Sequence, residues 1–297
     1  MNGELLFLAE VLLGGLLSGV MYALVALGFV LIYKASGVLN FAQGAQVLLA
    51  ALSYVSLVER GLSPALAFAL TLVLMLSLGL AIERLVLRPL AHQPPLTLFL
   101  ATLGVAWVLE GAAQLAWGTE VHALDLGVED RPIEAFGLLL SRLDLVAAAV
   151  AGSLVLLLLL LFHATRLGLA FRAVADDPYA AEAIGLRLPR LAALVWAVAG
   201  AIALVAGLLW GARLGVQFSL SLVVLKALPV LVIGGFDSLA GAVVGGLLVG
   251  ALEKLAEVYL GPVLGSGLEG WFAYAAALGV LLLRPQGLFG STRVERV

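Results

Sequence analysis

The chain has 297 residues, 63% of them hydrophobic and 12% charged, with a mean hydropathy of +1.16 and a net charge of -3. An ordinary soluble domain carries roughly 25% charged residues, so this chain has too few polar side chains to cover a water-facing surface, and lipid is the solvent for most of it. A near-neutral balance, with basic residues single or paired, excludes nucleic acid as a partner, and the absence of cysteine removes disulfides and thiolate metal ligands.

With about 20 apolar residues to a crossing, the sequence predicts membrane segments at 5–33, 43–58, 64–82, 96–117, 144–163, 191–212, 222–234, 239–260 and 268–283. The expected fold is an all-α polytopic bundle of eight or nine membrane elements, forming one transmembrane domain over 1–297. The first segment differs from a secretory leader: it begins with acidic Glu4, lacks a basic flank and is too long for an apolar core of about 7–15 residues. The segments 43–58 and 222–234 are short and border glycine-rich or polar stretches, which marks each as a re-entrant or broken helix or a short crossing.

Lys and Arg distribution sets the expected orientation. Lys34, Arg84, Arg88, Arg166, Arg172, Arg187, Arg190, Arg284, Arg293 and Arg296 fall in one set of alternate loops, against Arg60, Arg131, Arg142 and Arg213 in the other. Positive-inside placement puts the N-terminus outside and the C-terminus in the cytoplasm. The long outer loop 118–143 holds Glu120, Asp125, Glu129, Asp130 and Glu134, which agrees with that orientation without deciding it.

Two breaks resemble each other. Gly37 to Gly44 reads G-V-L-N-F-A-Q-G and Gly234 to Gly241 reads G-G-F-D-S-L-A-G, each a polar interruption followed by small residues. Matched interruptions in two halves of a membrane protein point to a substrate path; ordinary interhelical turns are the alternative. Asn40, Gln43, Gln46, Asp237 and Ser238 are the candidate path residues, because a solute at membrane depth needs polar partners. In the inner loop 164–190, Asp177-Pro178 supplies an N-cap with proline at the first helical position, and Gly185 a C-terminal cap. A helix from about Pro178 to Ile184 is expected there, flanked by Arg172, Arg187 and Arg190; an interfacial helix held by anionic headgroups is the alternative.

Glycines recur four apart at Gly15/Gly19, Gly241/Gly245 and Gly246/Gly250, a spacing that lets a neighbouring backbone approach. The segment 239–260 is therefore expected at the centre of a bundle or at a subunit interface, and the leucine run Leu156–Leu161 toward lipid. Glu59, Arg60, Glu83, Arg84 and Lys34 sit at segment ends, where snorkelling accounts for them. Glu110, Lys226, Glu253, Lys254 and Glu257 lie deeper, facing a cavity, a neighbouring helix or, for those near the outer end of 239–260, the interface. No catalytic site is expected: His92, His122 and His163 are scattered, Gly265-Ser266-Gly267 lacks the nucleophile spacing, and there is no phosphate loop, metal set or cofactor motif.

Four strings in register, N-F-A-Q-G at 40–44, R-A-V-A-D-D-P-Y-A-A-E-A-I-G-L at 172–186, G-G-F-D-S-L-A-G at 234–241 and R-P-Q-G-L-F-G at 284–290, resemble the LivH-type permease subunits of ABC importers for branched-chain amino acids. The resemblance implies an inner- or plasma-membrane permease paired with a LivM-like permease. It also implies two cytoplasmic ATPase subunits and an extracytoplasmic binding protein that delivers a small amino acid. Arg172, Asp176, Asp177, Pro178, Glu182 and Gly185 would then belong to a coupling segment that docks on an ATPase. Phe236-Asp237 departs from the isoleucine and glycine more frequent in that family. An ion-coupled secondary transporter, or an ABC permease for urea or short amides, is the alternative function.

Overall fold

The computed structural model describes residues 2–128, 131–135, 137–265 and 267–290. Glu129, Asp130, Ser266, Arg293 and Arg296 lie outside the described residues. Apolar runs become helices because lipid offers the backbone no hydrogen-bond partner other than itself. In chain order they are α1 (Asn2–Ser36), α2 (Gln43–Glu59), α3 (Pro64–Ile82), α4 (Pro95–Trp117), α5 (Arg142–Ala164), α6 (Arg166–Asp176), α7 (Pro178–Ala183), α8 (Leu188–Leu214), α9 (Ala227–Gly234), α10 (Leu239–Leu264) and α11 (Phe272–Leu283). A π-helical turn, Glu83–Leu87, extends α3, and a 3-10 segment, Phe218–Lys226, precedes α9. Proline in the first turn starts α3, α4 and α8, and glycines with positive φ, Gly118 (φ +75°) and Gly215 (φ +76°), follow α4 and α8.

Among the described residues six helices, α1, α3, α4, α5, α8 and α10, are long and apolar enough to cross a membrane, and with the shorter pieces the all-α polytopic architecture stands. The segment expected over 222–234 is a broken helix, 3-10 followed by α. Two elements were not anticipated. A small antiparallel hairpin, β1 (Pro132–Ala135) with β2 (Leu138–Ser141), occupies the loop before α5, pairing Ile133 with Leu140 and Glu134 with Leu139. The amphipathic α6 fills the first half of the 164–190 loop; Thr165 caps it by accepting from Gly168 N–H at 3.1 Å.

Residue contacts divide the one expected domain into two compact units. The first comprises the described parts of 1–30, 127–156 and 225–297. Its centre is α10, which has a glycine seam on each of two faces. On one, Gly246 and Gly250 meet α1: a Cβ on Gly19 would fall 2.6 Å from Gly246 O, and one on Gly15 2.7 Å from Gly250 O. On the other, Gly241 and Gly245 meet α9, where a Cβ on Gly245 would fall 2.5 Å from Val230 O. All six glycines of the sequence pattern are thus consumed by contacts within the chain, at backbone-to-backbone distance.

The second unit comprises 31–126 and 157–224. Helix α2 is its core: every residue from Gln43 to Val55 except Leu49 is buried. It packs on α8 through Gly207, whose Cβ would lie 2.5 Å from Val47 O, while α3 and α8 meet at Gly79 and Gly200, each set against a backbone carbonyl of the other helix. Outside the core, α4 and α5 show wide apolar faces, with Trp107 and Val108 about 70% exposed and Leu156, Leu157 and Leu160 all above 50%, as suits side chains facing lipid.

Candidate functional site

The break between α1 and α2 is a buried polar knot. Asn40 is wholly buried; its Oδ1 accepts from Ala42 N–H at 3.1 Å and its Nδ2 donates to Gln43 Oε1 at 3.0 Å. Gln43, also wholly buried, reaches across to the Ala199 carbonyl of α8 at 3.5 Å. Thr102 of α4, which the sequence did not single out, accepts from Phe41 N–H at 3.3 Å and lies 3.2 Å from Leu39 O. Phe41 packs edge-on against Phe99 at 4.8 Å. One turn into α2, Gln46 is wholly buried and neither its Oε1 nor its Nε2 has a partner among the described residues. Ser53, two turns further along the same helix face, is also buried, with its hydroxyl unpartnered among the described residues. An orphaned buried amide costs about 1–3 kcal/mol, so α2 carries a stripe of polar capacity that its own fold does not use.

The second break, in the first unit, is built differently. Helix α9 ends at Gly234, Gly235 takes φ +103°, and Ser238 Oγ caps α10 by accepting from Gly241 N–H at 3.0 Å. The 284–290 string folds over this turn: Leu288 N–H donates to Ile233 O at 2.8 Å and Phe289 N–H to Gly234 O at 3.1 Å. Gly287 (φ +76°) and Gly290 stand so close to 232–235 and Gln286 that a Cβ at either would collide with backbone. Two of the four diagnostic strings therefore form one structure. Asp237 is half-buried beside Gly290. Asn40, Gln43 and Gln46 thus fall in the second unit and Asp237 and Ser238 in the first.

Between Asp176 and Leu186 the expected helix is present as α7. Asp177 Oδ1 accepts from Tyr179 and Ala180 N–H, each at 3.0 Å. Gly185 (φ +92°) closes the other end, with Gly185 N–H to Glu182 O at 2.9 Å and Leu186 N–H to Ala181 O at 3.1 Å. Ala181 is its buried anchor, while Asp176, Asp177, Pro178 and Glu182 are exposed and Tyr179 and Ile184 present 86% and 77% of their surface. Arg172 ties the loop to α5 by donating to the Phe162 and His163 carbonyls at 3.1 and 3.3 Å.

Of the placements open to the deeper charged residues, Glu253 takes the one paired with neighbouring elements: it is 3% exposed and accepts from Tyr22 Oη at 3.0 Å and Lys226 Nζ at 3.2 Å. Lys226 also donates to Glu269 O at 3.0 Å and lies 5.7 Å from the Tyr22 ring centre. Glu257 remains more exposed and receives the Gly267 and Glu269 N–H groups, each at 3.1 Å. One expectation needs correction: Glu83 does not snorkel to the headgroups. It is 3% exposed and holds Arg88 in a two-point ion pair, at 3.0 and 2.8 Å.

A family model described as the permease component of branched-chain amino acid transport systems matches residues 11–283. The chain belongs to that family. Among its relatives, the LivH high-affinity branched-chain amino acid permease proteins of Salmonella typhimurium and Escherichia coli K12 are each 28% identical over the full length of both chains. BraD of Pseudomonas aeruginosa is 29% identical over 99% of each. The match spans every element from α1 to α11, so this permease is of the LivH type and is a membrane permease of an ABC importer.

Proposed function

We propose that the chain is one of two non-identical permease subunits of an ATP-driven importer of branched-chain amino acids. Its partner is LivM-like, two cytoplasmic ATPases power it, and an extracytoplasmic binding protein delivers the solute. The observation that carries this reading is α7, a short helix fixed at both ends by Asp177 and Gly185 yet offering Tyr179 and Ile184 to its surroundings. A capped helix with an apolar exposed face, in a loop that the arginine distribution puts inside the cell, is suited to dock in a groove of a neighbouring protein. The ATPases supply the nucleotide site, since the sequence has no phosphate loop; the permease is a moving conduit and not an enzyme. The N-terminus lies outside and the C-terminus in the cytoplasm.

In this mechanism, closure of the ATPase pair pulls on α7, and the adjoining α6 and Arg172 transmit the pull to α5. The binding protein sets specificity, and the conduit offers the zwitterion weak polar stations. Asn40, Gln43 and Gln46 form one such station and the Asp237–Ser238 turn another. Urea or short amides would need fewer charged contacts, and the relatives, branched-chain amino acid permeases, favour the amino acid. The test co-purifies the four membrane and cytosolic subunits and measures leucine uptake in proteoliposomes supplied with binding protein. Asp177→Arg and Glu182→Arg are expected to lose ATPase association and uptake while the two permeases stay paired. Uptake by this chain without ATPases, sustained by an ion gradient, would overturn the reading.

A further inference from the structure

Within the second unit lies a cavity of about 190 Å³, far larger than the roughly 10–15 Å³ that admits one water. Its floor is buried and mostly apolar, formed by Val38, Leu87, Leu98 and Trp196, and its rim is exposed at Ser36, Ala91 and Pro189. One carboxylate is set into the floor, that of Glu83, and one guanidinium stands at the rim, that of Arg88.

The π-helical turn creates this arrangement. Glu83 and Arg88 are five residues apart, a spacing that brings side chains together where the backbone makes i to i+5 bonds; Arg88 N–H donates to Glu83 O at 2.7 Å. The guanidinium uses Nε and Nη2 on the carboxylate and Nη2 again on Pro189 O at 3.2 Å. Both N–H groups of Nη1 remain without a partner among the described residues. The carboxylate accepts two bonds of the roughly four it can take. The ion pair thus keeps donor capacity on one side and acceptor capacity on the other, above an apolar floor.

We propose that this cavity binds a free zwitterionic α-amino acid with an aliphatic side chain. The ligand carboxylate lies on Arg88 Nη1, its ammonium on the unused lone pairs of Glu83, and its side chain against Trp196 and Leu98. The Glu83–Arg88 pair need not open, since each partner contributes what the other leaves unused. In the orientation proposed above, the loops after α1 and before α4 face the cytosol. The site is therefore loaded from the inside and serves as an exit station or as a receptor for accumulated product. This deepens the proposed function by naming where a branched-chain amino acid rests on the chain, and the experiment separates the two.

The assembled complex, without binding protein, is equilibrated with radiolabelled leucine in detergent, and binding is read by scintillation proximity. Saturable binding is expected, competed by valine and isoleucine. Leucinol, which lacks the carboxylate, and isovalerate, which lacks the amine, should compete at least about tenfold more weakly, as loss of one charged contact worth about 1.4 kcal/mol implies. Glu83→Gln and Arg88→Gln should each weaken binding by a similar factor. Ala192→Leu, which fills a wall of the cavity and leaves both charges in place, should abolish binding, and Glu59→Gln should leave it unchanged. Absent binding in the wild-type complex, equal competition by leucinol, or full binding by Glu83→Gln and Ala192→Leu complexes that elute as assembled would each overturn the site. Uptake by the same preparation with binding protein added is read separately: uptake without cavity binding removes this inference and leaves the importer, whereas binding without uptake does the reverse.

Discussion

Removing Glu253 strands an ammonium group in the core of the first unit. Its carboxylate is 4% exposed and lies 3.2 Å from Lys226 Nζ, whose side chain is 25% exposed. Breaking a buried ion pair from one side costs about 3–5 kcal/mol. Lys226 would still donate to Glu269 O and lie near the Tyr22 ring, so Glu253→Leu belongs at the lower end, about 3 kcal/mol. Lys226→Met leaves a more deeply buried carboxylate uncompensated and is expected to cost about 4 kcal/mol. The double variant replaces both charges with apolar groups and should fall within about 1–2 kcal/mol of wild type, a coupling of about 5 kcal/mol or more. The measurement is a double-mutant cycle of SDS-driven unfolding in mixed micelles, followed by circular dichroism. Additive effects, with coupling under about 0.5 kcal/mol, would refute the claim that the pair acts as a unit. The double variant should also keep ATP-driven uptake; its loss in a folded complex would favour a proton-carrying role for Glu253.

Gly246→Leu and Gly250→Leu should each prevent recovery of folded permease on size-exclusion chromatography, because a Cβ at either meets α1 backbone. Gly104→Ala and Gly279→Ala, which have open space around the added methyl, should be neutral or raise stability by up to about 1 kcal/mol. Gln46→Leu removes an amide with no partner and is expected to stabilise the protein by about 1–3 kcal/mol in the same micelle assay while lowering leucine uptake; raised stability with unchanged uptake would remove Gln46 from the path. Asp177→Ala deletes the cap of α7, about 1 kcal/mol of local helix stability, and should speed amide exchange at Tyr179 and Ala180 without altering exchange in α8.

Local chemistry was legible in the sequence wherever it acts over a few residues. The Asp177-Pro178 cap and the Gly185 stop define α7 because capping needs only neighbouring backbone groups, and hydropathy placed the long helices because burial in lipid is a property of each residue in turn. What escaped depends on distant partners or unusual local geometry. Glu83 and Arg88 have no reason to meet on an α-helix, and only a π turn aligns them. Glu253 is paired with Tyr22, 231 residues away, so its position near a helix end said nothing about its burial. The four-residue glycine spacing announced close packing on α10 but not that one face would take α1 and the other α9. Helix α6 was missed because Gly168 interrupts its pattern; in the structure that glycine lets the chain pass against the Phe162 carbonyl.

The two glycine seams of α10 have a mechanical corollary. A joint closed by carbonyls and Cα atoms has no rotamers with which to accommodate sliding, so α1, α9 and α10 can exchange one fit for another only by moving as whole rods. Compliance in that unit must then reside in links such as the Gly235–Ser238 turn, and stiffening that turn should slow the transport cycle more than it alters the affinity for solute.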